Sequence, residues 1–173
     1  NGEVWSEEKE GHDPLWSIEQ YQNLSEEAKS LGTHYILVET SEVSKLSELK
    51  RGENTVVILH STSDMPVSSY RDAIARIPRG QIILRNTRPE EIEKFTLYSS
   101  IDVGALLIDR KIDGVWLEGD NVSLVERNRL SFGILQATRV RISKTEYISC
   151  PSCGRTLFDL EETTAKIRKA TNH

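Results

Sequence analysis

The stretch from His34 to Leu84 decides the fold: His34-Tyr-Ile-Leu-Val-Glu39, Thr55-Val-Val-Ile-Leu59 and Gln81-Ile-Ile-Leu84 are strand-length apolar runs separated by helical patterns. Thr55 to Leu59 is apolar throughout and rich in β-branched residues, as in strands buried on both faces. Between these runs, Val43, Leu46 and Leu49 mark a short helix ending near Arg51-Gly52. Ser69-Tyr-Arg-Asp72 opens another that carries Tyr70, Ile74 and Ile77 and closes at Pro78 and Gly80. Strand and helix periods that alternate in this way predict βα units and a parallel sheet with flanking helices, an α/β fold.

The pattern continues in both directions. Upstream, Ser17-Ile-Glu-Gln20 has the form of a capping box. Ile18, Tyr21, Ala28 and Leu31 recur at helical spacing until Gly32 stops the helix. Downstream, Thr87-Arg-Pro-Glu90 reads as a helix start, with Ile92 and Phe95 on the following face and an end near Tyr98. Ile101 to Ile108 is read as helix, Asp113 to Glu118 as a fourth strand, and Asn121 to Ala137 as mainly helix. Val122, Val125, Leu130, Ile134 and Leu135 are its expected core positions. Four strands are too few to close a barrel.

After Arg139 the texture changes. A basic, β-prone run from Arg141 to Ser149 leads into Cys150-Pro-Ser-Cys153-Gly154, and a helix is expected from Asp159, with Leu160, Ile167 and Ala170 on its apolar side. Residues 1–140 are therefore expected to form one α/β domain and residues 141–173 the start of a second. The absence of an initiator Met at Asn1-Gly2, and of a helix stop before His173, gives the expectation of an excerpt that cuts through that second domain.

Composition narrows the function classes. Hydrophobic residues make up 37% and charged residues 28% of 173 residues, with a net charge of −5. This is the balance of a globular protein large enough to bury a core. The densest basic stretch, Arg139-Val-Arg141-Ile-Ser-Lys144, is too short to serve as a nucleic-acid groove. No apolar run approaches the roughly 20 residues that span a bilayer, so no membrane partner is expected.

Cys150 and Cys153, the only cysteines, carry the strongest chemical signal. Two thiolates at this spacing can converge on one metal while backbone N–H groups stabilise their charge. Zinc would require two further ligands, and His12, His34, His60 and His173 lack matching spacing. A thioredoxin-type pair should open a helix, whereas the helix here begins near Asp159. Half of a zinc knuckle, a redox pair and part of an iron–sulfur site all remain open on the residues alone. Asp64, Asp109 and Asp113 read as turn carboxylates, His60-Ser-Thr-Ser-Asp64 has no nucleophile elbow, and Trp5 and Trp16 read as packing anchors in a polar segment.

The run Thr145 to Leu160, through Ile167-Arg-Lys169, resembles the start of the iron–sulfur domain in the hydroxymethylbutenyl diphosphate synthase family. A second resemblance covers Ile101 to Asp109, Gly114 to Glu118 and Phe132 to Arg139. It is to the barrel-like insertion domain of that family's larger form, which lies between the catalytic barrel and the iron–sulfur domain. The resemblance implies that Cys150 and Cys153 bind a [4Fe–4S] cluster, together with a third cysteine and a glutamate farther along the polypeptide, and that Pro151, Gly154 and Arg155 surround it. It further implies a cyclic diphosphate substrate opened by two-electron reduction, ferredoxin or flavodoxin as electron donor, and the cytoplasm of a bacterium or a plastid stroma as location. The excerpt itself is expected to be inactive. Where the catalytic barrel carries an Arg-Val-Ser phosphate element, this sequence has Val115-Trp-Leu-Glu118. Glu118 would repel a diphosphate, so the insertion is expected to act as a spacer.

Overall fold

The computed structural model describes residues 13–77, 80–146 and 158–171. The chain divides into two compact units, Asn1–Arg141 and Ile142–His173. In the first, β1 (Leu15–Ser17) leads directly into α1 (Ile18–Gln22), and α2 (Glu26–Ser30), β2 (His34–Glu39) and α3 (Ser44–Glu48) follow. The unit continues with β3 (Thr55–His60), α4 (Pro66–Ile74), β4 (Gln81–Thr87), α5 (Ile92–Ile108), β5 (Gly114–Glu118) and α6 (Leu124–Ala137).

All neighbouring strands pair in parallel, in the order β1-β2-β3-β4-β5, so each strand lies beside the next in sequence. Right-handed crossovers between such neighbours carry every intervening helix to the same side of the sheet. Alternate strand residues Ile36, Val38, Val57, Leu59, Ile82, Leu84 and Leu117 share one buried core with Tyr21, Leu46, Tyr70, Phe95, Val103, Leu106, Leu107 and Ile134 from the helices. The strand period of two sends the intervening residues to the other face. There Leu37, Ile58 and Ile83 form one register row, and beyond it Glu39 pairs with His60 and Arg85 with Trp116.

The expected strands at 34–39, 55–59, 81–84 and 113–118 are present, and the fold is the expected parallel α/β sheet. Several boundaries differ. A fifth strand, β1, has only three residues, too short to register as a period-two pattern in sequence. It is anchored by Trp16, whose indole N–H donates to His34 Nδ1 at 3.1 Å while His34 Nε2 contacts the Ala28 carbonyl oxygen at 3.0 Å. Trp16 is thus the expected packing anchor, and both nitrogens of His34 are engaged.

The helix expected from Ser17 to Leu31 is two short ones. Ser17 and Gln20 form the expected capping box, but Ser25 caps a new helix at Ala28 N–H, which leaves Leu31 exposed; Gly32 has φ +68°. The expected cap at Thr87 is also displaced. Thr87 ends β4, and its hydroxyl donates to Glu118 at 3.2 Å, so the helix starts after Glu91 and runs unbroken through both segments read as separate helices. Phe95 is buried as expected, whereas Ile92 is exposed, and α4 begins three residues early with Pro66 in its first turn. In α6 a capping box of Ser123 and Glu126 sets the register, which buries Ile134 and turns Val125 to solvent.

The second unit contributes α7 (Leu160–Thr171), at the expected position. Asp159 caps it, accepting the Glu162 N–H at 2.9 Å, while the Glu162 carboxylate pairs with Lys166 at 2.7 Å rather than completing a box. Pro78 and residues 147–157 lie outside the described residues. Among the described residues, no helix is long and apolar enough to cross a membrane.

Candidate functional site

In a parallel sheet all carboxyl ends lie at one edge, which is where α/β folds place their ligands. Here that edge carries two register pairs, Glu39 with His60 and Arg85 with Trp116, with Thr87 paired to Glu118 further along β4 and β5. The sequence puts them there because each apolar strand ends in a polar residue on the face opposite the helices.

The charges of this edge are internally matched. Arg85 donates from Nε to one oxygen of Glu118 at 2.7 Å, its Nη2 lies 2.6 Å from the same oxygen as an ion pair, and its guanidinium lies 5.1 Å from the centre of the Trp116 ring. Glu118, expected to stand as a repulsive charge, is therefore neutralised. His60 is shifted toward its neutral form by burial and by the charge of Arg85. Tyr70 donates its hydroxyl to the Arg85 carbonyl at 3.0 Å, and burial pushes that phenol up to about 12.

Glu39 is held by the turn that follows its own strand. Its carboxylate accepts the Ser41 N–H at 2.6 Å, the Ser41 hydroxyl, and the N–H and hydroxyl of Thr62 at 3.2 Å each. Burial pushes this carboxyl up, but the hydrogen bonds from Ser41, Thr62 and Thr40 outweigh it and hold the group down to about 2. A carboxyl depressed in the folded state stabilises the fold above its ordinary value of 4.5, and that contribution is lost as pH falls toward 2. Glu39→Gln is accordingly expected to lower the melting temperature most near neutral pH, with the gap to the native chain closing below pH 4.5. A gap that stays constant in thermal melts from pH 7 to pH 2 would refute this role.

A second polar cluster lies behind β4. Asp102, in the middle of the apolar helix α5 and 4% exposed, accepts the Asn86 side-chain N–H at 2.9 Å and the Arg88 Nε–H at 2.9 Å. Ser99 donates to Asn86 Oδ1 at 3.1 Å, and Arg88 also lies 5.4 Å from the centre of the Tyr98 ring. Sequence reading passed over this cluster. Its one signal was an aspartate inside Ile101-Asp-Val-Gly-Ala-Leu-Leu-Ile108.

Cys150 and Cys153 lie outside the described residues. Among the described residues no three His, Cys, Asp or Glu side chains come together as metal ligands. The donor set of the chain, two thiolates, is half of what a four-ligand cluster needs, so the residues present do not hold such a cluster alone. Two of the carboxylates read as turn groups are engaged: Asp109 pairs with Arg71 at 3.0 Å, and Asp113 accepts the Ile82 N–H at 2.9 Å. Arg141 lies 5.2 Å from the centre of the Phe132 ring, and Arg139 closes α6 in a left-handed conformation at φ 59°.

A five-stranded parallel sheet with strands in consecutive order and flanking helices defines an α/β unit. The chain belongs to the 4-hydroxy-3-methylbut-2-en-1-yl diphosphate synthase family, as the match to relatives that carry that name with the qualifier "flavodoxin" shows. It is 43% identical over 133 residues to the Porphyromonas gingivalis protein, covering 74% of this chain and 23% of the relative. It is 44% identical over 135 residues to the Parabacteroides distasonis protein, covering 75% and 22%. The alignment with the Bacteroides thetaiotaomicron protein takes in the whole chain at 35% identity and 29% of the relative. The chain thus spans between a fifth and a third of the length of these relatives. No family profile and no solved structure matches it.

Proposed function

We propose that this chain is the part of a hydroxymethylbutenyl diphosphate synthase in which a barrel-like insertion domain, residues 1–140, passes into the start of an iron–sulfur domain, residues 141–173. The observation that carries the reading is the alignment over the whole chain, Cys150-Pro-Ser-Cys153 included, with a relative of that name. The parent enzyme would open a methylerythritol cyclodiphosphate ring by two-electron reduction with loss of water, taking electrons from flavodoxin, as the relatives' names support, in the cytoplasm of a bacterium. A [4Fe–4S] cluster would supply the electron-transfer chemistry, with Cys150 and Cys153 as two of its ligands and the others from elsewhere in the polypeptide. By itself the excerpt is inactive.

In this reading residues 1–140 act as a spacer. Arg85 and Glu118 neutralise each other, and Arg88 is bound to Asp102, so neither guanidinium is free for a diphosphate. The five parallel strands form part of a barrel whose remaining strands belong to the rest of the polypeptide. The test is steady-state kinetics on the full-length enzyme, reconstituted anaerobically and supplied with reduced flavodoxin. Turnover of the cyclic diphosphate is expected, and Arg85→Gln should leave KM within about twofold, because a uniform-binding contact would raise KM when removed. No turnover would overturn the enzymatic reading, and a large rise in KM the spacer role.

A further inference from the structure

We propose that the carboxyl end of β4 and β5 is an oxyanion site which the protein keeps filled with its own Glu118 carboxylate, and that a diphosphate can take that place once the Glu118 charge is removed. The inference rests on the reading of these strand ends as closed to substrate, and it identifies what closes them.

Two donors and a charge converge on one oxygen. Arg85 Nε–H and the Thr87 hydroxyl donate to Glu118 Oε2 at 2.7 and 3.2 Å, and Arg85 Nη2 lies 2.6 Å from it as the ion-pair partner. That is a receptacle for a single anionic oxygen, and a terminal phosphate oxygen has the charge and hydrogen-bonding capacity to fill it. The receptacle is built before any ligand arrives. Thr87 is fixed by strand pairing opposite Glu118, and the Arg85 guanidinium rests on Trp116, its register partner. The pair is also within reach of solutes, since the Arg85 and Glu118 side chains are 26% and 29% exposed.

What excludes a free anion is the tether. Glu118 sits on the neighbouring strand, so its carboxylate competes at an effective concentration on the order of millimolar or more, without the loss of translational freedom a solute suffers. Removing its charge while keeping its size leaves only a neutral amide oxygen to compete, which a doubly charged anion can displace.

Calorimetric titration of the 173-residue chain with inorganic pyrophosphate at low salt tests this. Glu118→Gln is expected to bind pyrophosphate at least about tenfold more tightly than the native chain, because the competing anion is gone. Adding Arg85→Gln to it should abolish the binding. Trp116 fluorescence should respond to pyrophosphate in the single variant alone. Affinity in Glu118→Gln no higher than native, or binding that survives the loss of Arg85, would overturn the proposal. If Glu118→Gln does not fold, as judged by thermal melting, Glu118→Thr carries the same test. A negative result here leaves the kinetic test of the spacer reading intact, since that test concerns the native pair.

Discussion

Asp102→Ala is expected to destabilise residues 1–141 by about 3 kcal/mol, at the lower end of the range for breaking a buried ion pair from one side. The cost has two parts. One is the loss of the nearer of the two carboxylates that pair with Arg88 among the described residues; the other, Glu90, is 3.9 Å away. The other is the Asn86 amide, 2% exposed, whose N–H would be left without its acceptor. The lower end applies because the Arg88 side chain retains 22% exposure and can recover some hydration. Asp102→Asn keeps the shape and one acceptor oxygen and should cost less, roughly 1–2 kcal/mol. Thermal melts of the two variants provide the check: a drop of about 10 °C is expected for alanine. A shift of only a degree or two would mean that the cluster contributes no net stability.

The second large effect concerns the thiolates. In the full-length enzyme, Cys150→Ser is expected to abolish the visible absorbance of the reconstituted cluster and to lower turnover by more than about a hundredfold. Loss of mere outer-shell partners of a metal site already costs about 10- to 100-fold. A serine hydroxyl resists the deprotonation that a thiol undergoes readily, so it is a poor substitute as an anionic ligand. Cys153→Ser should behave alike, and folding can be followed separately through the melt of residues 1–141. Retention of cluster and turnover would remove the cysteines from the ligand set. A preparation of this chain that holds one zinc per molecule would instead favour half of a zinc knuckle.

How much of this was legible in the sequence follows from the range of the forces involved. Short-range signals were read correctly. The strands β2 to β5 show as apolar runs because the face beneath the helices is buried and the other face is largely covered. Ser17 and Gln20 announce their box because its bonds join residues three apart. The family read from the residues that flank Cys150 and Cys153 agrees with the whole-chain likeness to a named relative. What failed was decided by partners distant in the chain. Thr87 looked like a helix cap until β5 offered it Glu118, 31 residues away. The break at Ser25 and the exposure of Val125 follow instead from local caps, Ser25 on the Ala28 N–H and Ser123 with Glu126, which apolar spacing alone did not show.

The sequence by itself determined the α/β class, the parallel sense of the sheet and the kinship with the synthases, because periodicity, connection length and motif are local properties of the chain. Only the tertiary structure decided that Arg85, Trp116, Thr87 and Glu118 meet at one strand end, and that Asp102 is an interior anion. Strand register and helix packing join residues between 14 and 33 positions apart there, and charge matching at that range leaves no trace in local pattern.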